Sequence, residues 1–503
     1  MVFASQAFFA FLAIVLGVFW LLGRWSERAG KAWIIVASLF FYGYWAPAYL
    51  LLLLGSICVN FTVVKALLAS SDPRRRAQLV TIGILLNIAL IAYFKYFAFL
   101  IESLNFVTKA NLPVPEILLP IGISFFTFQQ IGMLVDTWKD RLTSLSFWNH
   151  VFLVTFFPHL IAGPIVAQHE MLPQLTAARR WVLDPRQVAV GAGLFSIGMF
   201  KKTVLADSIV RYVDALYAAA DRGLPIGMLD GWAAGVGYGF QVYFDFSGYS
   251  DMAIGLAIMF GIKLPLNFFS PYKAASIRAF WRRWHVTLSR FLRNLLFIPM
   301  GGSRQGLGRT ILALIATMAI GGLWHGAGWT FVVWGLLHGA YLSINHLWIA
   351  VGLPRFAGIA ARVRASVGWS KFARAVCVLL TFAAVSFAWV FFRAADMQSA
   401  LHLASAMLGL GHDSGAAPMT TDFAPILLAY FLIVWCLPNT MEIFARSGAI
   451  LHIEDYDARP ESSGLLRAIS FRLSGAWAAG SALVLLSAWF AMSKLSPFIY
   501  YQF

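Results

Sequence analysis

Apolar runs of about twenty residues, each long enough to cross a hydrocarbon core, recur along the whole chain. The clearest are Phe3–Leu22, Leu79–Leu100, Phe372–Phe392, Phe423–Leu437 and Trp477–Met492. Basic residues punctuate them. Arg24, Arg28 and Lys31 follow the first run, which has no basic leader and reads as a retained span rather than a cleaved signal. Ala32–Leu68 is broken at Pro47 and followed by Arg74, Arg75 and Arg76, so it reads as an out-and-back pair. Leu79–Leu100 then leads out, and Ile117–Trp138 returns to Lys139 and Arg141. Lys and Arg accumulate in cytoplasmic loops, so these basic turns are placed in the cytoplasm and the N-terminus outside.

Further along, the pattern is less regular. Phe147–Val166 carries Pro158, His159, Gly163 and Pro164, which predicts a broken or re-entrant helix. Gly191–Ala206 is glycine-rich and ends near Lys201 and Lys202. Trp232–Phe260 is too long for one simple span and carries Asp245 and Asp251. Two apolar stretches surround His325 and His338, and the polar stretches Asp413–Asp422 and Glu442–Arg472 read as loops. The pattern predicts an all-α polytopic membrane protein, one integral domain over residues 1–503. It has about eleven transmembrane helices and one or two re-entrant pieces.

Composition supports that class. The chain is 60% hydrophobic and 12% charged, against about a quarter charged in soluble domains. A net charge of +16 would suggest nucleic acid in a soluble protein. Here the positive-inside rule accounts for it, so membrane lipids and not nucleic acid are the expected surroundings. Cys58, Cys377 and Cys436 sit in apolar surroundings with neither metal-ligand nor disulfide spacing. They read as packing residues, and no metal is expected.

Candidate chemistry concentrates in residues 263–346. Lys263, Lys273, Arg278, Arg282, Arg283, Arg290, Arg293, Arg304 and Arg309 occur with no Asp or Glu between them. Phe280, Trp281, Trp284, Phe291 and Phe297 interleave with these cations. Two readings stand side by side: an amphipathic face lying in the membrane interface, or a surface holding a phosphorylated cofactor. His325 lies between Trp324 and Gly326 in an apolar run, where an ionisable residue is a functional candidate by default. It can take a proton from a hydroxyl near neutral pH, and Gly326 and Gly328 leave room beside the backbone. His338 lies thirteen residues on, about 220° around a continuous helix, so the two would not share a face. A third cluster packs Gln241, Tyr243, Asp245, Ser247, Tyr249 and Asp251 between apolar flanks. It reads either as a buried network fixing helix packing or as the polar wall of a reaction chamber.

Several segments together resemble the membrane-bound O-acyltransferase family, in particular its AlgI-like alginate O-acetyltransferase branch. The D-alanyl transferases are more distant. The markers are Leu119-Pro-Ile-Gly-Ile-Ser-Phe125, Phe157-Pro-His-Leu-Ile-Ala-Gly-Pro164, Gln241 through Ile254, Phe280-Trp-Arg-Arg-Trp-His-Val-Thr-Leu288, Gly322-Leu-Trp-His-Gly326 and the tail Phe498-Ile-Tyr-Tyr-Gln-Phe503. The resemblance implies a ring of helices around a thin central core, where a cytoplasmic and an extracytoplasmic funnel meet. It implies catalytic roles for His325 and His285, and acetyl-CoA as cytoplasmic acyl donor, its phosphates held by Arg278, Arg282 and Arg283 beside Trp281 and Trp284. It places the protein in a bacterial inner membrane, passing acetyl groups toward an exported polysaccharide such as alginate or cellulose. The implied partners are a periplasmic or membrane-anchored SGNH-type transferase and the exopolysaccharide synthesis and export machinery. The family often has Asp then Tyr after Leu292-Arg293, where this chain has Asn294 and Leu295. If that carboxylate orients a histidine in relatives, Asp245 or Asp251 is the expected substitute. The alternatives are a lipid or protein O-acyltransferase of the same family, and a non-catalytic transporter or scaffold.

Overall fold

The computed structural model describes residues 1–44, 47–176, 181, 183–411, 421–456, 464–492 and 499, and helices dominate them. Eight helices among the described residues are long and apolar enough to cross a membrane. They are Gln6–Trp25, Pro47–Ala69, Pro73–Thr108, Pro185–Asp221, Leu307–His325, Trp329–Arg355, Val367–Arg393 and Ala424–Ser447. A shorter apolar helix spans Gly475–Ala491. The hydropathy count of eleven included stretches that do not form such helices. Ile117–Trp138 is helical only from Ile123, because Gly122 turns the chain with φ +75°. Phe147–Val166 breaks into Phe147–Thr155 and Phe157–Leu160 before an irregular stretch, as its prolines predict. All of Trp232–Phe260 but its last residue lies in one continuous 32-residue helix, Met228–Met259.

Local signals set the helix ends. Ser26 accepts from Ala29 N, and Asp72, followed by Pro73, accepts from Arg74 N and Arg75 N. Each satisfies orphan amides at a helix start.

The chain forms two compact units assembled from separated stretches. The first takes in Met1–Thr203, Gly248–Leu266 and the described residues from Phe444 on. The second takes in Val204–Ser247 and Asn267–Ile443. In the first, two helices approach closely through paired glycines. A Cβ on Gly191 would stand 2.4 Å from Gly255 O, and one on Gly198 would stand 2.6 Å from Gly248 O. Small residues let backbones pack where the solvent is lipid. Beside this seam Lys201 Nζ donates to Asp251 Oδ2 at 2.7 Å, with both side chains largely buried. That pairing explains why Lys201 and Lys202 do not end a span. The helix runs through them to Asp221, relaxing into a π-turn at Lys201–Ala206.

The Glu442–Arg472 stretch is more than loop. Ile450–Leu451 pairs in parallel with Leu264–Pro265, and Gly464–Ile469 is helical. Residues 412–420 and 457–463, and the tail marker 498–503 except Ile499, lie outside the described residues.

In the second unit Leu307–His325 and Trp329–Leu347 form a tight helical hairpin. Gly322, Gly335 and Gly339 line the seam. Cβ atoms there would stand 2.1 Å from Phe331 O, 2.3 Å from Met318 O and 2.9 Å from Ile315 Cα.

Candidate active site

The basic segment does not form one amphipathic helix. Ser276 caps a short helix, Ile277–Trp281, the chain turns through Arg282–Trp284, and a second helix runs Val286–Leu292. This break sorts the residues. Phe280, Trp281, Trp284 and His285 are buried, while Arg278 and Arg282 are exposed. Arg283 is half-buried, its guanidinium 5.8 Å from the Phe269 ring centre.

His285 sits at the start of the second short helix with φ +42° and ψ +55°. That left-handed conformation costs a non-glycine residue about 1 kcal/mol or more, so surrounding bonds must hold it. Asn267 supplies them. Its carbonyl accepts from Val286 N at 3.0 Å. Its Oδ1 accepts from Thr287 Oγ1 at 2.9 Å and Thr287 N at 3.4 Å, and lies 3.1 Å from His285 Nδ1. A backbone N–H can only donate, which assigns that Asn267 atom as the oxygen. His285 Nδ1 is then the donor, and its neutral tautomer keeps the lone pair on Nε2.

His325 ends its helix, and Gly326 continues with extended backbone. Its ring meets Trp324 at 4.9 Å, Trp334 at 5.1 Å and Phe392 at 5.1 Å. The His285 and His325 ring centres are 6.5 Å apart. With a hydrogen-bond reach of about 3 Å from each ring nitrogen, both can touch one substrate group. The space beside Gly326 is not open, contrary to the sequence reading. A Cβ there would stand 2.1 Å from the Phe331 ring, so this glycine admits Phe331.

Trp284 stacks on Phe280 at 5.6 Å and packs against Trp389 at 5.0 Å. Trp389 in turn stacks with Trp334 at 5.8 Å. Trp281 Nε1 donates to His338 Nδ1 at 3.2 Å. The continuous-helix geometry used for His325 and His338 fails, because the hairpin breaks between them at Gly326–Gly328. Trp334 lies between the two imidazoles, 5.1 Å from one and 4.7 Å from the other.

The Gln241–Asp251 cluster divides. Gln241, Tyr243, Asp245 and Ser247 are buried in the second unit with the histidines, and Tyr243 packs 6.2 Å from Trp284. Gln241 Oε1 and Ser247 Oγ are buried with no hydrogen-bond partner among the described residues. Tyr249 and Asp251 belong to the first unit, where Tyr249 stacks on Phe3 at 4.8 Å and Asp251 holds Lys201. The residue that holds His285 is Asn267. Asn294 is exposed on a π-turn, Arg293–Phe297. Sequence reasoning missed Asn267, although an Asn inside the apolar run Leu264–Phe269 is the kind of signal it sought elsewhere.

Against this geometry the comparisons are decisive. The model of the membrane-bound O-acyltransferase family matches residues 31–356, which include both histidines, the basic segment and the polar cluster. The chain belongs to the membrane-bound O-acyltransferase family. It is 39% identical to a peptidoglycan O-acetyltransferase of Helicobacter pylori over 80% of this chain and 78% of that protein. It is 34% identical to a probable alginate O-acetylase AlgI of Pseudomonas aeruginosa over the full length of both. A teichoic acid D-alanyltransferase of Streptococcus thermophilus is 29% identical over 46% of this chain and 57% of that protein. As a member of this family the protein is a multi-pass membrane O-acyltransferase. Family membership removes the transporter and scaffold readings, and the buried histidines of the second unit are its candidate catalytic groups.

Proposed function

We propose that this acyltransferase moves acetyl groups from cytoplasmic acetyl-CoA across the bacterial inner membrane for O-acetylation of an extracytoplasmic glycan. His325 acts as general base. It takes the proton of the acceptor hydroxyl, the oxygen attacks the thioester carbonyl, and the proton passes to the departing CoA sulfur. His285, fixed by Asn267, orients the reacting groups. The single observation behind this reading is the close pair of buried imidazoles, one of them locked in a left-handed turn by Asn267.

Arg278 and Arg282, with Arg283 beside them, hold the CoA phosphates at the cytoplasmic side, since guanidinium groups suit phosphate geometry. Trp281 and Trp284 supply the adjoining apolar wall. Gln241, Tyr243, Asp245 and Ser247 form the polar side of the chamber. The unpartnered Gln241 Oε1 and Ser247 Oγ support that role, because buried polar atoms ordinarily find a partner. Tyr249 and Asp251, which meet Phe3 and Lys201 in the first unit, are assigned to packing in this reading. The working unit is one integral membrane domain, with residues 263–346 as its catalytic segment.

The relatives' names point to two acceptors. An exported polysaccharide is the leading one, delivered through an SGNH-type transferase and the export machinery. Peptidoglycan is the second, favoured by the 39% identical relative. The test compares wild type with His325→Ala at matched membrane levels, measuring acetate on secreted polysaccharide and on muramic acid. Loss of acetate from one glycan with its yield unchanged supports the proposal and names the acceptor. Unchanged acetate on both overturns it.

A further inference from the structure

The first unit carries a cavity of about 450 Å³ that none of the candidate catalytic or CoA-binding residues lines. Four cations line it: Arg186, Lys263, Arg446 and Arg472. One acid lines it, Asp184, and its Oδ1 accepts from Arg186 N at 2.9 Å as the cap of Pro185–Phe200. The floor is apolar, built from Val190, Ile258 and Phe471. Val190 and Ile258 are buried and Phe471 half-buried, while the four cationic side chains belong to exposed residues.

Contacts within the unit fix which membrane face this is. Lys31, near the start of the helix Glu27–Gly43 that follows the first span, donates through Nζ to Leu175 O at 3.1 Å. The preceding residue, Gln174, bonds both Lys263 N and Lys263 O, at 2.9 and 3.1 Å. The cavity therefore shares a face with Arg24, Arg28 and Lys31, the face the positive-inside rule makes cytoplasmic. It also lies at the level where helices end. Asp184 and Arg186 begin one helix, and Ile258 is next to the last residue of another.

We infer that this cavity binds the phosphate headgroup of an anionic phospholipid of the cytoplasmic leaflet. Exposed cations from four separate segments converge on it with one capped acid, which suits a phosphate. The apolar floor at helix-end level suits the glycerol and first methylenes of an amphiphile, and gives a free phosphate nothing to touch. Basic pockets between helices on the cytoplasmic side are general lipid-headgroup receptors.

The test uses the full chain purified in a neutral detergent. Binding of dihexanoyl phosphatidylglycerol, dihexanoyl phosphatidylcholine and CoA is measured by thermophoresis. Saturable phosphatidylglycerol binding is expected, weakened about tenfold or more in the Arg446→Gln/Arg472→Gln variant. The Arg74→Gln/Arg75→Gln variant removes the same charge from the same face outside the cavity, and should bind within roughly twofold of wild type. Arg186→Gln/Lys263→Gln should repeat the loss, which separates a site effect from misfolding of one variant. Equal binding of phosphatidylcholine, or an equal loss in the Arg74/Arg75 variant, overturns the site in favour of diffuse attraction. Saturation by CoA that is lost in the Arg446→Gln/Arg472→Gln variant, with no phosphatidylglycerol binding, overturns the lipid assignment in favour of a soluble phosphate ligand.

Discussion

Two buried polar centres in this chain are built in opposite ways. Around Lys201 and Asp251 charge meets charge at 2.7 Å, and glycine seams on both sides close the backbones over the pair. Around His285 and His325 the polar groups do not cancel one another. Asn267 fixes one imidazole, while Gln241 Oε1, Ser247 Oγ, Trp334 Nε1 and His338 Nε2 are buried without a partner among the described residues. The first centre is complete and serves packing. On the proposed function, the second is completed by what binds there. A buried carboxylate in an apolar helix is thus a poor guide to chemistry until its partner is known. That is why a single sequence cluster, Gln241–Asp251, contributes to both centres.

The largest effect that separates them is His325→Ala. Removing a general base lowers acetyl transfer by about a thousandfold, while membrane levels and thermal unfolding in detergent stay near wild type. Acetate per glycan at matched expression checks this. A parallel loss of folded protein would place His325 in the structural centre instead.

Asp251→Ala gives the opposite signature. It strands Lys201 in an apolar seam and should destabilise the protein by about 3–5 kcal/mol, with activity falling only as folded protein falls. The pair Lys201→Met/Asp251→Leu removes both charges and should recover most of that stability. Thermal unfolding of the three variants reads the result directly. A stable but inactive Asp251→Ala would move this carboxylate into the reaction.

Asn267→Ala sharpens the contrast from the chamber side. Without its acceptor the His285 ring loses tautomer and orientation, and the turnover rate should fall about ten- to a hundredfold with KM little changed. A change confined to KM would make Asn267 a substrate contact. Gly322→Ala should have a smaller effect, about 1–3 kcal/mol of stability, because the added methyl meets Phe331 O and the hairpin must part. Unfolding curves that match wild type would show that the seam has slack.

Much of the architecture was legible because its signals are local and repeated. Apolar length marks the spans, Arg and Lys mark their ends, and the prolines of Phe147–Val166 mark a broken helix. What escaped depends on distant pairs. Lys201 looks like the end of a span until Asp251, fifty residues away, neutralises it. His338 looks unrelated to His325 on a continuous helix, and only the break at Gly326–Gly328 folds it back toward Trp281. Asn267 looks like a spacer until the turn at His285 returns the chain to it. Gly326 looks like open room beside the backbone, but that room belongs to Phe331. An apolar run singles out His325 and the family resemblance singles out His285, while their supports are non-local and carry no period.

A third polar centre, half exposed, tests where pH should act. His169 Nδ1 lies 2.8 Å from Asp136 Oδ2, and Arg141 Nη1 lies 3.5 Å from the other oxygen. The hydrogen bond to Asp136 is the largest influence on His169 and raises its pKa above the usual 6.5, although partial burial works against it. Protonation is therefore favoured by folding. The stabilisation is fully present below the unfolded pKa and is lost as pH rises through the folded one. The imidazole is 36% exposed, so solvent screening limits the gain to about 0.5 kcal/mol. Wild type and His169→Gln should differ in unfolding temperature by a degree or two near pH 5 and converge near pH 9, at roughly that scale. A gap that stays constant with pH would mean a neutral hydrogen bond, and would remove titration from this face of the protein. A gap that closes would show that pH reaches the molecule through its half-exposed pair.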